Sequence, residues 1–218
     1  MWWTVALGLG ASEGLAADAS TPHPHRGVLR AYDGPPPRPT LTEADLATLG
    51  SGRPVLQQAQ TTTGAGAAGR ALAVQDVHAP PNAVWARITD FGAYPRMVDH
   101  VLECEPYASD GDHLRVRFVI GAPLVRIEYF IDHTYRPAEG WMTWRLDYDH
   151  TSDLDDSVGY WRVDPIAGPG GAQWSRVTYS VELKAAGYVP APLERAFATI
   201  GLTKATAWVK AESEASGR

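Results

Sequence analysis

The chain has 218 residues, 44% hydrophobic composition and a formal net charge of −6. That length and composition suffice for one domain with a real core plus an extension, and the basic residues alternate singly rather than forming a stripe, which argues against nucleic acid as a partner. No run of about eighteen apolar residues marks a membrane-spanning helix, and Cys104, the sole cysteine, leaves no internal disulfide to form and says nothing about compartment.

In chain order, residues 1–19 resemble a weak signal peptide. Trp2 to Leu9 is apolar and Ala17-Asp18-Ala19 offers a small-x-small cleavage pattern, yet no Lys or Arg precedes the apolar run and Glu13 interrupts it. An exported, periplasmic protein and a cytoplasmic one with an untargeted leader fit equally, so localisation stays open. Residues 20–40 read as a Pro-rich linker of extended character, carrying Pro35-Pro36-Pro37 and dispensable for folding. Residues 41–69 read as a short helical extension and a flexible segment: Thr40-Leu41-Thr42-Glu43 looks like a capping box, the helix ends at Gly50, and Thr61 to Gly69 is small and flexible.

Residues 70–215 carry the periodic patterns of one domain. A strand over Ala71 to His78 precedes a helix that opens at Pro80-Pro81 and sets Val84, Trp85, Ile88 and Phe91 on one stripe. Period-two alternation then places Leu114, Val116, Phe118 and Ile120 on one face of a strand, followed by Ile127, Tyr129, Ile131 and His133 on a second, with Phe130 breaking the rule. Met142, Trp144, Leu146 and Tyr148 form a third ridge, Gly159, Trp161 and Val163 a weaker strand, and Val177, Tyr179, Val181 and Leu183 the last. Short turns such as Ser109-Asp110-Gly111-Asp112 imply antiparallel neighbours. A helix of about 30 Å follows Pro190 and Pro192, with Leu193, Ala196, Phe197, Ile200, Lys204, Ala207, Trp208 and Ala211 at three- and four-residue intervals. The expected fold is α+β: an antiparallel sheet with one wet face and one face covered by that helix.

The order of elements, the string Val84-Trp85 to Asp90-Phe91 to Tyr94-Pro95, the Gly159-Tyr160-Trp161 strand and the Val189-Pro190 step resemble the START-like (SRPBCC) superfamily, in its polyketide cyclase/dehydrase and coenzyme Q-binding branch. The resemblance spans about Arg70 to Glu214. It implies a helix-grip fold, a curved antiparallel sheet wrapped around a long C-terminal helix with an internal hydrophobic cavity. Function does not follow from it, because lipid carriers, quinone-binding chaperones and cyclases share the fold.

Catalytic motifs are missing: there is no Gly-x-Ser-x-Gly elbow, phosphate-binding glycine loop or His-Glu-x-x-His helix. Asp147, Asp149, His150, Asp153, Asp155 and Asp156 form an acidic cluster without the glycine and terminal glutamate of a calcium loop, and read as a solvated connection. No metal and no cofactor is expected. The candidate ligand-binding set is Phe118, Tyr129, His133, Trp144, Tyr148, Tyr179, Phe197 and Ile200, lining a cavity between sheet and helix, with pocket and plain core about level for the aromatics. By parity His133 is a polar group inside that cavity, suited to orienting a ligand carbonyl or moving a proton; a wet or backbone-bonded histidine at a strand end weighs more.

Gly187, Tyr188 and Val189 are the candidate gate, able to lie against a ligand or in transient contact with a membrane, and an ordinary loop stapling the helix start fits as well. The next candidate portal is the loop between Gly121 and Leu124. The leading expectation is a non-catalytic carrier, chaperone or transporter of a hydrophobic small molecule such as a lipid, sterol or quinone. A cyclase or dehydratase using His133, Tyr129 or Tyr148 as acid or base is the alternative, and a partner-binding module without a ligand is the weakest.

Overall fold

The computed structural model describes residues 16–63, 66–122, 125–185 and 205–215. Its frame is a curved, open, antiparallel sheet of eight strands: β1 (Val55–Thr63), β2 (Gly66–Val77), β3 (Val101–Asp110), β4 (His113–Ala122), β5 (Val125–Arg136), β6 (Trp141–Leu146), β7 (Leu154–Ala167) and β8 (Gln173–Ala185). The strand order is β1-β2-β8-β7-β6-β5-β4-β3. Helix α1 (Glu43–Gly50) precedes the sheet, α2 (Pro81–Ile88), a 3-10 turn (Phe91–Ala93) and α3 (Tyr94–Met97) join β2 to β3, and α4 (Ala207–Ala215) follows the last strand.

The inner face is where the period-two pattern places it. Val116, Phe118, Ile131, Met142, Trp144, Leu146, Trp161, Val163, Val177 and Val181 are buried in one cluster with Val84, Trp85 and Ile88 of α2 and Trp208 of α4. Trp208 packs edge-on against Tyr94 at 5.0 Å. Outside it, Lys210 Nζ donates to the Asp76 carbonyl at 2.9 Å and Glu214 accepts the His78 amide at 2.9 Å, so α4 is tied to the end of β2. At Gly159 a Cβ would run into the Trp144 ring and the Ser180 carbonyl, so the glycine lets the indole lie flat across β7.

Two strands lie outside the sequence expectation. β3 contains Pro106 and alternating charges, a composition tolerated because β3 is an edge strand. β1, largely Gln and Thr, occupies the opposite edge, and its pairing with β2 converts part of the expected flexible segment into a hairpin. The weak strand around Trp161 is the 14-residue β7, which pairs along most of β8. The capping box sits two residues later than expected: Thr42 is the N-cap and Asp45 returns the bond to its backbone. The side chains of Phe197 and Ile200, and the gate residues Gly187, Tyr188 and Val189, lie outside the described residues, as does Leu124 of the alternative portal.

The expectation of one wet face does not hold. On the outer face Asp132, Thr143, Asp156, Arg162, Thr178 and Ser180 are buried. Near the β1–β2 end the cover is α1, whose Leu49 packs with Val55 and Val74. Over β6 and β7 it is the Pro-rich segment, docked as a strap rather than free as a linker. Asp18 bridges to Thr151, the His23 amide donates to the Tyr148 carbonyl at 3.0 Å, and Tyr32 meets Tyr160 edge-on at 5.1 Å. Arg162 Nη1 donates to the Pro36 carbonyl at 3.3 Å, and Arg38 pairs with Asp164 at 2.8 Å.

The acidic connection is the strap's receptor, not a solvated loop. Asp156 Oδ2 accepts the Val28 and Leu29 amides at 2.7 Å each, Asp153 accepts the Ala17 amide at 2.9 Å, and Asp149 pairs with Arg26 at 2.7 Å. Gly27, at φ +106, allows the turn; a Cβ there would sit 2.5 Å from Tyr148 Oη. Phe130, the residue that broke the alternation, is buried on the outer face against Tyr107 and His150.

Candidate functional site

Five of the predicted ligand-binding residues are brought together on the inner face. Phe118 stacks on Tyr129 with ring centroids 5.3 Å apart, Trp144 stacks on Tyr179 at 5.6 Å, and His133 lies between, 6.3 Å from both Phe118 and Trp144. The register explains the assembly: Phe118 pairs with Tyr129 across β4 and β5, and His133 pairs with Trp144 across β5 and β6. Opposed side chains on neighbouring strands share a face.

Sequence reasoning passed over three other contributors. Trp161 lies 4.5 Å from Tyr179, and Phe91 lies 5.3 Å from His133. Tyr94, on α3, donates its hydroxyl to the Ile88 carbonyl at 2.5 Å. Trp161 shared the parity of Gly159 and Val163, and Phe91 the stripe of Val84, Trp85 and Ile88, which were the available signals; Tyr94 lies beyond that stripe, in a turn without periodicity.

His133 is 4% exposed. Its Nδ1 lies 3.0 Å from the Leu114 carbonyl, so in the neutral ring Nδ1–H is the donor and Nε2 keeps a lone pair. Burial pushes its pKa down to about 4, against the opposing pull of the Leu114 bond and the Asp132 charge. Burial also raises the phenols of Tyr94, Tyr129 and Tyr179 and the thiol of Cys104. Near neutral pH each of these groups is therefore uncharged.

Tyr148 departs from the predicted set. β6 ends at Leu146, and Tyr148 turns its hydroxyl to Asp156 Oδ1 at 2.9 Å, with its ring 6.0 Å from His23 of the strap. Two clefts open elsewhere on the described surface. One, about 300 Å³, lies between strap and sheet with Tyr32, Asp33, Asp132 and Arg145 in its wall. The other, about 860 Å³, is bounded by Trp85 and Thr89 of α2, Tyr135, Glu139 and Gln173. The donor atoms of His23, His25 and Asp155 come within 4.8 Å of one another, but Lys184 Nζ sits 2.6 Å from the same carboxylate, a poor setting for a cation.

A curved antiparallel sheet with an aromatic inner face and a closing C-terminal helix defines the helix-grip class of START-like proteins. The chain belongs to the polyketide cyclase/dehydrase and lipid transport family, whose profile matches residues 69–216. Solved structures share the fold at low identity. The Zhui aromatase/cyclase from Streptomyces sp. R1128 superimposes with a TM-score of 0.58 at 14% identity, covering 69% of this chain and 96% of its own. A START superfamily protein from Mycobacterium smegmatis gives 0.54 at 16%, covering 67% and 97%. A STAR-related lipid transfer protein from Xanthomonas axonopodis gives 0.52 at 13%, covering 72% and 98%. No curated protein matches the chain by sequence. The strap, α1 and β1 all precede the family match.

Proposed function

We propose that the protein binds a hydrophobic small molecule of the lipid, sterol or quinone kind against the inner face of the sheet, as a carrier or chaperone without catalysis. The observation that carries this reading is the neutrality of the face. His133, with a pKa of about 4, and Tyr94, Tyr129, Tyr179 and Cys104, all raised, surround Phe118, Trp144 and Trp161 without a charge at neutral pH. Such a lining contributes roughly 25 cal/mol for each Å² of apolar ligand surface removed from water, while phenols and the imidazole orient a carbonyl or hydroxyl.

The cyclase reading asks His133, Tyr129 or Tyr148 to act as general acid or base, and His133 is the candidate base. A group titrating near 4 takes protons poorly at neutral pH, where efficient bases titrate close to the working pH. Mass spectrometry of an organic extract of the purified protein tests the proposal, with an apolar compound expected in stoichiometric amount. Trp144→Ala should weaken rebinding of that compound by ten-fold or more. His133→Ala should shift its affinity by no more than about one hydrogen bond, roughly 0.5–1.5 kcal/mol. A ~10²–10⁴-fold collapse of turnover in His133→Ala, with binding intact, would instead establish an enzyme.

A further inference from the structure

We propose that the strap, residues 16–38, is a proton-operated clasp: His23, with His25 beside it, holds it on the outer face of the sheet near neutral pH and releases it in mildly acidic solution. Of the two histidines, only His23 has both ring nitrogens bonded outside the strap. His23 is 6% exposed; its Nδ1 accepts the Ser152 amide at 3.4 Å and its Nε2–H donates to the Asp155 carbonyl at 2.9 Å. The Nδ1 of His25 accepts the Gly27 amide at 3.1 Å, and its Nε2–H donates to Asp155 Oδ1 at 3.1 Å. Each Nδ1 thus faces an N–H; at His23 that N–H belongs to Ser152, outside the strap, so a second ring proton there sets donor against donor across the docking contact. The rings lie 4.7 Å apart, edge to face, so two charges would also repel.

The surrounding charges oppose release but are largely spent. Asp155 is held by Lys184 of β8 as well as by His25. Asp156 is occupied by the Val28 and Leu29 amides and by Tyr148, Asp153 by the amides of Ala17 and Glu128, and Asp149 by Arg26. His150 reaches the Ala19 carbonyl at 2.7 Å. Burial therefore prevails: together with the charge of His25, it sets the pKa of His23 below its ordinary 6.5, despite the Asp155 bond. The docked strap takes up a proton less readily than the released one, so docking is fully favoured above about pH 6.5 and is lost as pH falls through the docked value.

The same bonds speak against a metal clasp. A cation on both Nε2 atoms needs Nδ1–H groups facing acceptors, and here both face donors. The strap lies wholly before the family match, and none of its residues belongs to the inner core cluster. Its release would bare Asp156, Tyr160 and Arg162 of β7 with the ligand site still assembled.

Amide exchange on the full chain, corrected for intrinsic rates, tests this between about pH 7.5 and about pH 5. The amides of Asp18, His23, Val28 and Leu29 should lose protection, about ten-fold for each unit separating the docked from the free histidine, while β7 and β8 stay protected. In His23→Gln, whose amide both donates and accepts, the loss should shrink, and His25→Gln should shift its midpoint. Constant strap protection across the range would overturn the proposal. So would loss in step across the whole chain, an unchanged profile in both variants, or strap protection that rises when zinc chloride is added at neutral pH.

Discussion

On the inner face of the sheet the buried groups are Phe118, Trp144, Trp161 and the neutral His133; on the outer face Asp132, Thr143, Asp156 and Arg162 are buried among Phe130, Val158 and Tyr160. The inner set gains from any apolar neighbour, because the hydrophobic effect has no direction, and can exchange one covering group for another, a ligand included. The outer set needs donors and acceptors at fixed places, since a buried carboxylate or guanidinium without partners costs several kcal/mol. Only a segment of matching sequence covers it. One sheet thus carries a permissive face, suited to binding, and a selective face, suited to holding its own chain.

Removing the strap gives the largest break in that comparison. A chain starting at Thr40 loses the two strap-amide bonds to Asp156, the one to Asp153 and the Arg162 bond to the Pro36 carbonyl, with the Tyr32–Tyr160 contact besides. At about 1 kcal/mol net per bond the loss should be roughly 4 kcal/mol, lowering Tm by roughly 10 °C. A melting curve within a few degrees of the full chain would make the outer face indifferent to its cover.

The inner face should respond to acid as a whole. His133 titrates near 4 folded against 6.5 when free, so its contribution is complete above about pH 6.5 and falls away as pH drops toward 4. The full excursion is about 3 kcal/mol, visible as a fall in the urea midpoint that His133→Gln flattens. Strap exchange and the global urea midpoint should therefore separate, His23→Gln correcting the first and His133→Gln the second. Asp156→Asn comes next, at about 2 kcal/mol. One carboxylate oxygen now accepts both the Val28 and Leu29 amides while the other accepts the Tyr148 hydroxyl and the Ser157 amide, and an amide cannot serve both sides.

The inner face was legible in the sequence because alternation is a local signal: Phe118, Tyr129, Trp144 and Tyr179 each fell on the correct side from the parity of their own strand. The outer face was hidden because its burial depends on partners more than a hundred residues away, as with Val28 and Asp156, and no period of two or 3.6 records such pairing. Prolines and small residues looked unable to pack. Yet the strap needs no core of its own, since its amides are satisfied by carboxylates that the sheet already presents. The edges β1 and β3 escaped for a related reason, polar composition and Pro106 being permitted where one side of a strand is unpaired.

Tyr148→Phe has the smallest expected effect and tests where the two faces divide. Parity put this residue in the ligand site, while its hydroxyl is bonded to Asp156 and its ring lies beside His23 and His25. Burial, with the Asp156 charge and bond, raises its phenol, so the hydroxyl is a fixed donor throughout the accessible pH range. Phenylalanine keeps the ring contacts and loses one bond, about 1 kcal/mol or roughly 2–4 °C in Tm, and strap amides should exchange faster. Affinity for the extracted ligand should stay unchanged, whereas Tyr179→Phe, altering a phenol beside Trp144 and Trp161, should change it. Equal losses of affinity in the two variants would mean that Tyr148 reaches the ligand, and the boundary between the permissive and the selective face would have to be drawn through β6 rather than beyond its end.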